Sequence, residues 1–250
     1  MWIFAELDIY HDLTPRSATM NMAIDEALLE MAKISAIRFY RWRSPALSFG
    51  YFGKFADVAA YAAERDLVRR WTGGGIVFHG DDLTYSIIVP ASAEFFSESS
   101  KSIYSSIHAA LRKVLVMSGE PAELARSESR SDDEGRSSRD AEPGLAGARP
   151  STHVRGIASG IPHSCFANPV HADVLVNRRK VAGAAQRRTR TGLLHQGSIQ
   201  NVDLGNGLAE RFAMELSSEA IARRLDGPIL DRACEIAAQK YGTDAWLRKR

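Results

Sequence analysis

An α+β domain with a mixed, largely antiparallel central sheet and flanking helices is what this 250-residue sequence predicts, on three observations. Residues of the AVILMFWYC group make up 45% of the chain, enough apolar material to close one sizeable core. Strand-like and helix-like segments are mixed without the regular alternation of a doubly wound parallel sheet, and no internal repeat is visible. One long polar stretch interrupts a chain that otherwise reads as one catalytic-sized domain spanning 1–250. Disordered and collagen-like classes are excluded by the same composition. The formal charge of +2, from 32 Lys+Arg against 30 Asp+Glu, argues against a dedicated binder of nucleic acid or of a membrane surface. Two cysteines, Cys165 and Cys234, build no disulfide framework, and no CxxC pair is present to hold zinc, so a reducing, cytoplasmic compartment fits. The N-terminus lacks the basic and apolar regions of a signal peptide, and no apolar run approaches membrane-spanning length. The expectation is a soluble, unprocessed, intracellular protein.

The elements follow in chain order. Trp2 to Tyr10 is apolar and extended in character, and Pro15 and Ser17 punctuate the chain before Met20, Ala23, Ile24, Ala27, Leu28 and Met31 repeat at helical spacing. Asn21 and Asp25 fall on a polar face of that helix. Ile37 to Trp42 and Ala46 to Phe52 read as strands around a Ser44-Pro45 turn, and Asp57 then caps a short Ala-rich helix. Leu67 to Trp71, Ile76 to Phe78 and Leu83 to Val89 read as neighbouring strands of one sheet, with glycines at 73 to 75 between the first two. Ile103, Ile107, Leu111, Val114 and Leu115 mark a second helix, stopped at Gly119 and Pro121. From about 120 to 162, Ser, Arg, Asp, Glu, Gly and Pro dominate without apolar period, which reads as a mobile surface insertion. Strands are expected at Asp173 to Asn177, Lys180 to Arg187 and Leu193 to Ile199. The helical C-terminal part, 204–250, has helices around Leu208, at Ser217 to Leu225 and at Pro228 to Tyr241.

Three segments carry candidate chemistry. In Arg69-Arg70-Trp71-Thr72-Gly73-Gly74-Gly75, consecutive glycines let backbone N–H groups approach an anionic or carbonyl-bearing ligand, with two arginines nearby. A flexible hairpin with solvated arginines is the competing reading, and neither the Walker spacing nor GxGxxG is present. Along Arg178 to Arg188, alternation places Lys180, Ala182, Ala184 and Gln186 on one strand face, whose small residues leave room for a ligand held by the lysine. An exposed Arg-rich turn is the bland alternative. Cys165, where the insertion returns to the sheet, is either a nucleophilic thiol beside basic residues or a small buried hydrophobe. A zinc site from His163, Cys165 and His171 matches no closed four-ligand pattern. Cys234, between apolar neighbours in the last helix, reads as core, and His79 and His195 as ligand-facing or structural.

Taken together, these residues resemble the lipoate-protein ligase and octanoyltransferase family, which shares a superfamily with the biotin protein ligases. The resemblance rests on five stretches in family order: Asn21 to Leu29, Arg69 to Gly75 with His79, Asp82 to Ser86, Lys180 to Gln186, and Leu194 to Ile199. It implies an enzyme that places an octanoyl or lipoyl group on one lysine of a lipoyl-carrier domain. Acyl or adenylate binding is then expected from Arg69, Arg70, Thr72, Gly73, Gly74, Gly75, His79, Gly183, Ala185, Gln186, His195 and Gly197, with Cys165 and Lys180 catalytic and no metal ligand.

Two chemistries live on that scaffold. The run Cys165-Phe166-x-x-Pro169 is similar to the transferase branch, in which the cysteine takes the acyl group as a thioester and the lysine assists, with no cofactor required. Gly73-Gly74-Gly75 is the form common in the ligases, which would need ATP and Mg and pass through an acyl-adenylate. The implied donor is an acyl carrier protein or the glycine-cleavage carrier protein. The implied acceptors are lipoyl domains of 2-oxoacid dehydrogenase complexes or that same carrier. Such carriers are typically acidic, and Arg178, Arg179, Arg187 and Arg188 are placed to steer them. A non-catalytic acyl- or nucleic-acid-binding module is the reading from another class. The filled Cys165 and Lys180 positions, the small charge and the lack of a helix-turn-helix segment stand against it.

Overall fold

The computed structural model describes residues 2–126, 166, 169–205 and 207–249. Most of the expected insertion, and Cys165 with it, lies outside the described residues. The chain runs β1 (Leu7–Arg16), α1 (Ala18–Met31), β2 (Ala36–Trp42), β3 (Ala46–Phe49), β4 (Asp66–Arg69), β5 (Val77–His79), β6 (Leu83–Pro90), α2 (Ser100–Met117) and β7 (Ala122–Leu124). It continues with β8 (Val174–Val176), β9 (Arg179–Arg188), β10 (Gly192–Ile199), α3 (Leu208–Leu216), β11 (Ala220–Arg223), α4 (Gly227–Ile236) and α5 (Asp244–Leu247).

Eight strands form the main sheet in the order β11-β1-β2-β6-β10-β9-β8-β7, parallel where β1 meets β11 and β2, antiparallel elsewhere. Both faces are covered, which explains why β6 and β10 are buried at every position instead of alternating. On one face Tyr85, Ile87 and Val89 of β6 pack with Ile103, Ile107 and Leu111 of α2 and Phe212 of α3. On the other, Ile88 and Leu194 pack with Met22, Ala23 and Ala27 of α1 and Ile229 and Ala233 of α4. Ser17 caps α1, its hydroxyl accepting from the Met20 N–H at 3.3 Å, and Asp226 caps α4 ahead of Pro228 in the first turn.

Several expectations are corrected. β4, β3 and β5 form a separate three-stranded sheet, so the strands before and after the glycines do not all join the sheet that contains β6. The polar face of α1 that carries Asn21 and Asp25 is buried, and both bind Arg38, which is itself without exposed surface. In place of a helix capped by Asp57 there are two single 3₁₀ turns, Phe55–Asp57 and Ala59–Tyr61, with no side-chain cap. Residues 122–124, inside the stretch read as insertion, form β7 and pair with β8. The segment expected as a helix at Ser217 to Leu225 contains β11, because pairing with β1 at Leu7–Tyr10 satisfies backbone groups that a short, exposed helix would leave uncompensated by packing. Cys234 is exposed, since the buried stripe of α4 runs through Ile229, Ala233 and Ile236 and the next residue points outward.

Candidate acyl-binding site

A narrow, mostly apolar cavity lies between the two sheets. Its floor is the middle of β9 and β10, from Gly183 to Ala185 and from Gln196 to Ser198. The second sheet gives its other wall through Ser48, Val77 and His79, and Met22, Tyr40 and Trp42 close the end beneath α1.

Lys180 sits at the β9 end, and a β-bulge decides where it points. Val174 pairs with Ala182, but Leu175 pairs with Lys180, so the ladder shifts register around Val181. The lysine therefore leaves the face of Ala182 and Ala184 predicted for it by alternation. A Cβ on Gly183 would lie within 2.3 Å of the Lys180 Cε, so the side chain occupies the space that Gly183 leaves empty. Its ammonium pairs with Asp173 Oδ2 at 2.7 Å and stands 5.5 Å from the Phe166 ring, which lines the cavity. Asp173 also accepts from the Val170 N–H and from the Tyr104 hydroxyl, so the lysine's counter-charge is fixed on three sides.

The glycine loop lies over β9. A Cβ built on Gly74, whose φ is +84°, would sit 3.3 Å from the Ala185 Cβ, and one on Gly50 would meet the Gly74 carbonyl oxygen at 2.1 Å. Arg70 holds the loop, donating to the carbonyls of Gly73 at 3.1 Å and Gly75 at 2.8 Å. Thr72 donates to Gln196 Oε1, whose amide donates in turn to Asp25 Oδ2. The loop is thus tied to the buried Arg38–Asp25–Asp12 cluster. At its far side, His79 donates from Nδ1 to Asp82 Oδ2 at 2.7 Å. Burial works against ionisation of Asp82, but the His79 ring and the bonds from His79, Ser198 and Thr84 outweigh it and hold its pKa at about 2. Burial lowers the His79 pKa more than Asp82 raises it, and Arg70 and Arg65 add to the lowering.

Arg70, His79, Gly183 and Ala185 line one cavity, with Gly74 over Ala185 and Lys180 in the space beside Gly183. Thr72 bonds Gln196 in its wall, and Gly73 and Gly75 hold Arg70 through their carbonyls. Arg69, Gln186 and His195 point elsewhere. Arg69 turns to the C-terminal segment, donating to the carbonyls of Trp246, Leu247 and Lys249 and to those of Tyr51 and Gly53. Gln186 and His195 lie on the α2 face, bonded to each other at 3.1 Å, because side chains two strand positions from Ala184 or one from Gln196 point away from the cavity. Gly197 lines the cavity by its backbone, and its missing side chain admits the Tyr85 ring on the opposite face. Ser48 and Asp173 were missed from sequence, and Asp82 and Gln196 were read only as members of the stretches that carry the resemblance, with no role of their own. A lone glycine after β3 was the one available signal for Gly50. Among the described residues no cluster of three His, Cys, Asp or Glu is arranged to hold a metal.

Behind the sheet, His108 and His195 lie with ring centroids 5.7 Å apart. Burial lowers His108 to about 4, and burial followed by His108 holds His195 well below its ordinary value. A histidine depressed in the folded state takes up its proton first in the unfolded chain, so stability is full above the unfolded value of 6.5 and falls as pH drops toward 4. His108 alone should cost about 2 kcal/mol between neutrality and pH 5. Urea unfolding across that range should show the loss, with a flatter profile for His108→Phe; equal slopes for both proteins would refute it.

Residues 17–220 match the family described as the lipoyl protein ligase A/B catalytic domain. The chain is 32% identical over 194 residues to octanoyltransferase LipM of Oceanobacillus iheyensis, covering 74% of this chain and 61% of that protein. It is 33% identical over 226 residues to octanoyltransferase LipM of Macrococcus caseolyticus, covering 87% and 73%. The chain thus spans between three fifths and three quarters of these relatives' lengths. Among solved structures, a bipartite lipoate protein ligase from Thermoplasma acidophilum superimposes with a TM-score of 0.65 at 17% identity, covering 98% of this chain and 96% of that one. The match over residues 17–220, most of the chain, settles the family: the chain belongs to the lipoyl protein ligase A/B catalytic domain family.

Proposed function

We propose that the protein is a cofactor-independent octanoyltransferase, moving an octanoyl group from a carrier thioester to Cys165 and then to the lysine of a lipoyl-carrier domain. The observation that carries this reading is the placement of Lys180, buried, paired with Asp173 and 5.5 Å from the ring of Phe166, a cavity-lining residue that follows Cys165 in the chain. The names of the relatives support octanoyl transfer.

In the first step the Cys165 thiolate attacks the donor carbonyl, a new thioester forms, and the donor thiolate leaves and takes a proton. In the second, the carrier lysine's neutral amine attacks, the amide forms, the Cys165 thiolate departs, and the amine's surplus proton passes to a base. A fixed ammonium at Lys180 favours the thiolate in both steps. Asp173 holds that ammonium in place, and the small residues of β9 leave room for the aliphatic chain. The donor is an acyl carrier protein or the glycine-cleavage carrier protein, and the acceptor a lipoyl domain or that carrier, all in the cytoplasm. The rim arginines Arg178, Arg179 and Arg188 are exposed, as steering of acidic carriers requires.

Intact mass after mixing the protein with octanoyl-acyl carrier protein and no ATP tests this. An octanoyl increment on the wild type, removed by hydroxylamine and absent from Cys165→Ser, is expected. Modification of a lipoyl domain only with free octanoate and ATP would instead make the protein a ligase working through an acyl-adenylate.

A further inference from the structure

The glycine loop is held by Arg70, and Arg70 is held by a chain of hydrogen bonds that runs back to Asp82. Its guanidinium donates from one nitrogen to the carbonyls of Gly73 and Gly75, bracketing Gly74, and from the other to Ser48 Oγ at 2.6 Å. Ser48 Oγ lies 2.7 Å from His79 Nε2, and His79 Nδ1 lies 2.7 Å from Asp82 Oδ2. Asp82, His79, Ser48 and Arg70 are all buried.

The direction of every bond follows from one end. A carboxylate has no proton to give, so Nδ1–H donates to Asp82, and Nε2 of the neutral ring can only accept. The Ser48 proton must then point at Nε2, which leaves the hydroxyl's lone pairs turned toward Arg70. Asp82 itself cannot shift, because Thr84, Ser198 and the Gly80 N–H also donate to it. Nor can the imidazole turn: the Trp42 ring stacks on it with centroids 4.0 Å apart, and the indole N–H is anchored on Thr84.

We propose that Asp82, His79 and Ser48 are positioning residues that aim Arg70 at the glycine loop and so set how tightly the acyl donor is gripped. The inference rests on the acyl-transfer reading for its effect on activity, but not for its effect on the loop. It also predicts a direction with acid. The charged groups facing His79 are Asp82 from the β5–β6 turn, Arg70 from the segment after β4, and Arg65 from the turn before β4, whose guanidinium donates to the His79 carbonyl. Protonation of His79 turns Nε2 into a donor. Ser48 then faces donors from His79 and Arg70 together, its own proton has no acceptor, and the guanidinium loses its fixed aim.

Two measurements on Ser48→Ala, with Ser48→Thr as the variant that restores the hydroxyl, separate this role from simple loss of packing. Steady-state octanoyl transfer should show KM for the acyl donor raised about tenfold with kcat within about twofold, the size of effect of one charge-assisted hydrogen bond lost from ground-state binding. The wild-type KM should rise with acid as His79 protonates, the Ala variant's KM should stay flat, and Thr should restore most of the difference. Protection of the Gly73 to Gly75 amides against hydrogen exchange, corrected for the intrinsic pH dependence of exchange, should fall in Ser48→Ala and, in the wild type, with acid. Unchanged exchange in the loop, or equal falls in kcat and kcat/KM at every pH, would overturn the proposal. A wild type that transfers no octanoyl while its loop exchange responds as stated would sink the transfer reading and leave the relay standing.

Discussion

Arg38→Met is expected to destabilise the protein by about 3–5 kcal/mol, the cost of removing one partner from a buried ion pair. Arg38 has no exposed surface; it pairs with Asp25 at 2.8 Å and Asp12 at 2.7 Å, and donates to the side chain and carbonyl of Asn21. The Tyr40 ring covers the guanidinium at 4.0 Å. Removing the arginine leaves the buried Asp25 carboxylate of α1 without a cation, while Asp12 of β1 keeps Arg16 at 2.8 Å. Asp25 keeps donors in Ser86, Tyr40 and Gln196, which prevents a larger loss. The urea midpoint should fall with an unchanged m-value. A fall worth less than about 1 kcal/mol would mean that the cluster relaxes by taking up a proton or water.

Gly50→Ala is expected to lower the transfer rate by about a hundredfold, because misplacing bound groups by about 1 Å has that cost. A Cβ at this position would stand 2.1 Å from the Gly74 carbonyl oxygen and 2.6 Å from the Gly73 carbonyl carbon. Those contacts are backbone, so relief requires the whole loop to lift away from Ala185. Gly80→Ala makes the matched control, since a Cβ there meets nothing within 4 Å and its N–H can still donate to Asp82. Rates measured for the two variants beside the wild type decide the matter. If Gly50→Ala matched Gly80→Ala, the loop's height above β9 would be irrelevant to the reaction.

What was legible in the sequence follows from how local each cause is. α1 was legible because its cap, Ser17, and its apolar repeat lie within fifteen residues of each other. β2, β6 and β10 were legible because each carries a local cluster of apolar and β-favouring residues, Phe39 to Trp42, Ile87 to Val89 and Leu193 with Leu194. β11 was not, because four residues carry little pattern and its partner strand lies more than two hundred positions away. The candidate site was legible as a set of segments, and less so as a set of directions. Lys180 follows a bulge that depends on the pairing of β8 with β9, and no period in the sequence reveals it. Arg69 and Arg70 are neighbours of identical chemistry, yet opposite sides of one strand end send the first to the C-terminal carbonyls and the second to the glycines. Ser48 carried no signal because a serine in an apolar strand is ordinary, and Asp82 was read only as the start of the Asp82 to Ser86 stretch; their joint meaning comes from His79 standing between them.

The grip of Arg69 on Trp246 and Lys249 spans 177 and 180 residues of chain. On the ribosome, at about 5–20 residues per second, those carbonyls emerge roughly 10–40 s after the arginine does. Until then the guanidinium beside the glycine loop has no acceptors from the C-terminal segment, and the loop's backing is incomplete. The strand end that enters the glycine loop and the segment around Trp246 therefore cannot complete their shared contacts until both have left the ribosome.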